Sequence, residues 1–180
     1  MSDLGGGHSI ESVYSAADIA TRLAALAAEI ASRKPSNLLV VPILTGSFVF
    51  AADLIRALNG VGLHPEVDFL ALSSYRKSRI SSGQVTILRD LDLHVEGRHV
   101  LLVDDVLDSG RTLAFAKDLI AARGARIIET CVLLAKDVSR AVNIQADYAA
   151  FACPDVYVVG YGMDVAHRYR ELPYVGRIVD

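Results

Sequence analysis

The sequence contains no tryptophan, two cysteines, two methionines and five prolines in 180 residues. Two thiols, Cys131 in an apolar run and Cys153 just before Pro154, supply neither a disulfide framework nor a zinc ligand set. Both read as buried cysteines of a reducing compartment. No surplus of positive charge exists. Lys and Arg number 18 against 21 Asp and Glu, for a net charge of -3, so no nucleic-acid footprint is expected. Long hydrophobic runs are missing as well, and none approaches the ~20 residues of a membrane span. The opening MSDLGGGHSI has no charged segment followed by an apolar stretch, so no signal peptide is expected. No GxxxxGK occurs, and Gly5-Gly6-Gly7 follows no strand, which excludes the P-loop and dinucleotide readings. The expectation is a cytoplasmic chain with neither a nucleic-acid nor a membrane partner.

What is present is a large apolar fraction, 52% of residues against 22% charged, enough for a real core in one domain spanning residues 1–180. Residues 16–33 repeat apolar side chains every three to four positions behind Ser15, predicting an amphipathic helix with an N-cap. NLLVVPIL (37–44) is a continuous apolar run, the mark of a strand buried on both faces. Helical spacing returns over 48–58 and stops near Asn59-Gly60. Strands are expected at 67–75, 85–91, 99–105 and 126–135, with shorter ones at 147–151, 156–160 and 174–179; a helix is expected over 112–124. RKSRISSGQ (76–84) lacks apolar periodicity and reads as a mobile loop. Alternation of strand and helix with fully apolar strands argues for α/β and a mainly parallel sheet. In such sheets ligands sit beyond the carboxyl ends of the strands.

One such end carries VLLVDDVLDSGRTL (100–113), where an apolar strand runs into Asp104 and Asp105 and a helix follows Ser109-Gly110-Arg111-Thr112. The first amides of a helix have no internal partner, and the helix dipole adds about half a positive charge there, which makes an anion cradle. Gly110 permits close backbone approach, and Ser109 and Thr112 offer hydroxyl donors. Two carboxylates beside a phosphate site make sense if they accept hydrogen bonds from sugar hydroxyls or face magnesium, a hard cation that takes oxygen ligands. The loop therefore calls for a sugar phosphate.

This pattern resembles the phosphoribosyl-diphosphate (PRPP) binding motif of type I phosphoribosyltransferases, and the wider chain resembles the hypoxanthine-guanine phosphoribosyltransferases in their short bacterial form. Segments 44–58, 67–92, 95–113 and 154–176 follow family segments in order, a resemblance covering roughly residues 37–178. It implies an α/β fold with a mainly parallel central sheet flanked by helices, and a small hood formed by the terminal segments. It also implies transfer of ribose 5-phosphate from PRPP to a 6-oxopurine, with Mg2+ as cofactor and a homodimer or homotetramer as assembly.

The resemblance further implies roles for individual residues. The 5′-phosphate would lie on the backbone of 108–112, with Ser109, Gly110, Arg111 and Thr112 as its cradle. Asp104 and Asp105 would face the ribose hydroxyls and metal, and Asp108 would accept the purine N7 proton. Lys136 would donate to the 6-oxo group, Tyr157 would stack on the base, and the Val158 backbone would meet the base edge. Asp164 would meet a second magnesium beside the purine. Thr45-Gly46, in a loop whose peptide is often cis in the family, would hold diphosphate with Ser74, Tyr75 and Arg170. Ser74-Tyr75 and the loop to Gln84 look like a lid, although a tip of Arg, Lys and Ser is equally a solvated excursion. The chain departs from the family pattern at Thr45, where Lys or Arg is common, and at Ala152-Cys153, Val156 and Val165.

Rival readings are weaker on the same residues. A regulator with a degenerate site does not explain an intact Asp108, Lys136 and Arg170. A phosphoryl-accepting receiver lacks the Ser-Gly-Arg-Thr cradle. The same transfer to adenine leaves Lys136 mismatched, because an ammonium donates and cannot accept from a 6-amino group. Orotate gives Asp108 no purine proton to take.

Overall fold

The computed structural model describes residues 9–74 and 85–179. The expected lid, Tyr75 with 76–84, lies outside the described residues. In chain order the elements are β1 (Ser9–Tyr14), α1 (Ala16–Ser32), β2 (Leu38–Leu44), α2 (Phe48–Gly60), β3 (Glu66–Val67), β4 (Leu70–Ser74), β5 (Val85–Arg89), β6 (His99–Leu107), α3 (Arg111–Ala122), β7 (Ile127–Lys136), β8 (Tyr148–Cys153), β9 (Val158–Val159) and β10 (Val175–Val179).

The main sheet runs β5-β4-β2-β6-β7-β8, with β3 also paired to β2. Every pairing in it is parallel except β4 with β5. Alternate residues of the central strands feed two cores. Val40, Leu101, Val103, Cys131 and Leu133 pack on the side of α1 and α2. Leu39, Val41, Val100, Leu102 and Val132 pack on the side of α3. Burial on both faces explains why these strands are apolar without interruption. Cys131 and Cys153 are free and buried, and burial raises both thiol pKa values.

Ser15 caps α1 as expected. Its hydroxyl accepts from the Asp18 N–H at 3.2 Å, and the Asp18 carboxylate accepts from the Ser15 N–H at 3.0 Å, a reciprocal capping box.

Two expectations change, and one is met. The strand at 67–75 is two strands, interrupted at Asp68. That buried carboxylate accepts N–H donors from Phe69 at 2.8 Å, Asp92 at 2.6 Å and Leu93 at 2.8 Å, diverting local backbone from the ladder. The strand at 99–105 continues to Leu107, because β7 keeps pairing alongside it through Val106↔Leu134 and Leu107↔Ala135. Asp104 and Asp105 therefore lie within the strand instead of ending it. Finally, β1 joins β10 and β9 in a three-stranded antiparallel sheet, so both ends of the chain build a hood as the resemblance implies.

Candidate active site

A cleft of about 290 Å³ opens at the carboxyl ends of β2, β6 and β7, with the hood as its far wall. It is lined by Thr45, Gly46, Asp104, Asp105, Asp108, Thr112, Lys136, Tyr157, Val158 and Asp164. Residues separated by over a hundred positions thus meet where the parallel-sheet rule places a ligand.

The floor is the acid pair. Asp104 is 7% exposed. Its Oδ1 accepts the Asp105 N–H at 3.0 Å, and Asp105 Oδ1 accepts the Val106 N–H at 2.7 Å. Burial, and then the neighbouring Asp105 charge, hold the Asp104 carboxyl well above the usual carboxylate range. Two acids in this state favour an incoming cation, which relieves both effects at once.

Gly46 lies directly against Asp105, and a Cβ on it would overlap that carboxylate. A cis peptide joins Leu44 to Thr45 at the entry to this loop. Ser47 closes the loop by donating its hydroxyl to the Ile43 carbonyl at 2.6 Å, and α2 starts at the next residue.

On the other side of the acids, Gly110 is the N-cap of α3, with φ +79 and no side-chain cap on the first amides. Those donors stay available to an anion. The glycine has a second reason beyond ligand approach: a Cβ would come within 2.6 Å of Ile144 Cγ2 and 3.0 Å of the Val142 carbonyl. Ser109 and Arg111 are exposed and do not line the cleft; Thr112 and Asp108 do.

Lys136, the last residue of β7, extends its Nζ to 3.6 Å from Asp108 Oδ2 and 3.2 Å from Asp155 Oδ1, with its side chain 11% exposed. No local pattern marks Asp155; the turn after β8 brings it to Lys136. Tyr157 is 55% exposed and lines the cleft, and its hydroxyl donates to the Asp164 carbonyl at 3.2 Å. A large aromatic face left this open suits a stacking ligand.

Asp164 is already engaged. Its Oδ1 pairs with Arg170 Nη2 at 2.8 Å, and its Oδ2 accepts the His167 N–H at 2.7 Å. Arg170 also donates to the Gly162 carbonyl at 2.6 Å, so its guanidinium braces the hood turn and does not line the cleft. Ser74 closes β4 and Tyr75 lies beyond the described residues.

An acid floor, a helix N-terminus and an open aromatic wall at one end of a parallel sheet define a protein that handles an anionic, nucleotide-sized ligand. Residues 9–166 match the phosphoribosyl transferase domain, and the chain belongs to that family. It is 39% identical to the hypoxanthine phosphoribosyltransferase of Escherichia coli strain K12 over 175 residues, covering 96% of this chain and 97% of that one. With the hypoxanthine-guanine phosphoribosyltransferase of Bacillus subtilis it shares 42% identity over 171 residues, 94% of this chain and 93% of that one. The hypoxanthine phosphoribosyltransferase of Trypanosoma cruzi, solved in complex with the product IMP, superposes with a TM-score of 0.87. It is 33% identical, covering 96% of this chain and 95% of that one.

Proposed function

We propose that this chain moves the 5-phosphoribosyl group of PRPP onto hypoxanthine and guanine, yielding IMP or GMP and diphosphate, a purine-salvage transfer. The observation that carries it is the placing of Lys136 and Asp108 within 3.6 Å of each other on one wall of a cleft. An open Tyr157 and the buried acid pair line the same cleft.

In this reading the ring of a 6-oxopurine lies on Tyr157, with its edge at Val158. Lys136 donates to the 6-oxo oxygen, and Asp108 accepts the N7 proton as the base nitrogen bonds to the ribose carbon and the bond to diphosphate breaks. A base so placed is worth ~10²–10⁴-fold in rate. Asp104 and Asp105 accept from the ribose hydroxyls, and their negative field favours the cationic sugar of the transition state. The amides of 109–112 with the Thr112 hydroxyl hold the 5′-phosphate. Thr45-Gly46 holds diphosphate, with Ser74, Tyr75 and Arg170 as further partners. Arg170 is engaged by Asp164 and the Gly162 carbonyl and does not line the cleft.

The donor set fits magnesium. Among the described residues no group of three His, Cys, Asp or Glu forms a cage, and Mg2+ ordinarily uses one or two carboxylates, substrate phosphates and waters. Asp104 and Asp105 supply those carboxylates, and Asp164 would hold a second ion by sharing or releasing Arg170. The ion would neutralise charge on the departing diphosphate. We further infer one domain over the whole chain, a homodimer or homotetramer, and a cytoplasmic location. Among the described residues no helix is long and apolar enough to cross a membrane.

The test is PRPP consumption measured in parallel with hypoxanthine, guanine, xanthine and adenine. Product from hypoxanthine or guanine is expected. Product from adenine alone would overturn the Lys136 assignment.

A further inference from the structure

Tyr161 stands outside the cleft, yet three features mark it. It is 5% exposed, its backbone is left-handed at φ +49, and its hydroxyl donates to Asp53 Oδ2 at 2.5 Å. A tyrosine takes up left-handed backbone only at a cost. The conformation belongs to a tight turn in which Gly160 and Met163 exchange two backbone hydrogen bonds of 3.0 Å, and the Tyr161 N–H donates to Leu172 O at 2.9 Å.

The next residue explains why this turn matters. Gly162 packs so closely on the Gly46 carbonyl that a Cβ would overlap it. Gly46 in turn leaves no room for a Cβ against Asp105. Acid pair, Thr45-Gly46 loop and hood turn are therefore stacked with no side chain of either glycine between them. Asp53 lies on α2, the helix that begins at Phe48 directly after this loop. A shift of α2 along its axis would move the loop with it.

The geometry points to Tyr161 as a positioning residue: its hydrogen bond to Asp53 fixes α2 against the hood turn and so sets the Thr45-Gly46 loop for the diphosphate half of PRPP. This rests on the reading of that loop as the diphosphate site. Tyr161 also contributes to the core on the side of α1 and α2, but a purely apolar role needs no hydroxyl, and a buried hydroxyl requires a partner. Burial, and then the bond to Asp53, push the phenol far above its ordinary range, so it remains a donor at any working pH. Asp53 also pairs with Arg56 one turn along α2.

The experiment uses Tyr161→Phe, which keeps the ring and removes the donor, and Asp53→Ala, which removes the acceptor. Each is expected to raise KM for PRPP, and Kd for magnesium diphosphate, by about tenfold, the worth of one hydrogen bond to a charged group. KM for hypoxanthine is expected to stay unchanged. The double variant is expected to be no worse than the poorer single variant, because both remove the same bond. Equal rises in both KM values, or additive losses in the double variant, would overturn the inference. A titration of the wild-type amide spectrum with magnesium diphosphate separates the two layers of argument. If the Gly46 amide does not respond in the wild type, the diphosphate reading of the loop falls. If it responds and Tyr161→Phe binds diphosphate equally well, the positioning role alone falls.

Discussion

Lys136 Nζ lies 3.6 Å from Asp108 Oδ2. The residue read as base selector and the residue read as proton acceptor are thus electrostatic partners before any purine arrives. Asp155, at 3.2 Å, holds the ammonium from its other side. In the proposed function, a purine entering between them would replace part of that pairing with its 6-oxo oxygen and its N7 proton. Asp108→Asn is therefore expected to lower kcat by ~10²–10⁴-fold, the usual worth of a general base. PRPP affinity should remain, since the phosphate cradle is untouched. Steady-state kinetics with hypoxanthine checks this, and unchanged turnover would remove Asp108 as the base.

Lys136→Met keeps the length of the side chain and removes its donors. The expected loss in kcat/KM for hypoxanthine is ~10–100-fold, that of a hydrogen bond to a charged group. Discrimination against adenine should weaken at the same time. Competition between the two bases for PRPP measures both effects.

Gly46→Ala forces a methyl group into the Asp105 carboxylate, which cannot simply turn away because its Oδ1 accepts the Val106 N–H. Displacing reacting groups by about an ångström costs roughly 10²-fold, and a loss of that size in kcat/KM for PRPP is expected. A melting curve recorded beside the kinetics separates this from unfolding.

Asp68 governs stability instead of chemistry. Burial opposes its charge, but N–H donors from Leu93, Phe69 and Asp92, with Arg89 nearby, hold its carboxyl below the ordinary range. A folded pKa lower than the unfolded one, about 3.9, contributes stability that is complete above the unfolded value. That contribution is lost as pH falls through the folded value. Asp68→Asn should destabilise the protein by about 1–3 kcal/mol at neutral pH. The gap from wild type should close as the solution is acidified below about pH 4. Denaturant titrations at several pH values provide the measurement, and a gap independent of pH would contradict it.

Much of this architecture was legible because physics repeats it locally. β2, β6 and β7 announce themselves as unbroken apolar runs since both their faces are buried, and α1 begins at a serine–aspartate box written within four residues. What stayed hidden depends on distant partners. β1 is half polar and becomes a strand only by pairing with β10, 170 residues onward by the Ser9↔Val179 register. Asp104 and Asp105 resemble a turn until β7 is seen continuing past them. Asp108, Thr112, Lys136, Tyr157 and Val158 line one cleft, whereas Ser109 and Arg111 stay exposed outside it. Arg170 turns instead to Asp164 and Gly162, and no local signal foretells that.

The most direct test of the whole account is a crystal structure with bound IMP. It should show the phosphate on the first amides of α3, the ribose hydroxyls at Asp104 and Asp105, and the purine over Tyr157 with its oxo group at Lys136. A nucleotide lodged elsewhere, with Lys136 and Asp108 still paired across an empty cleft, would contradict it.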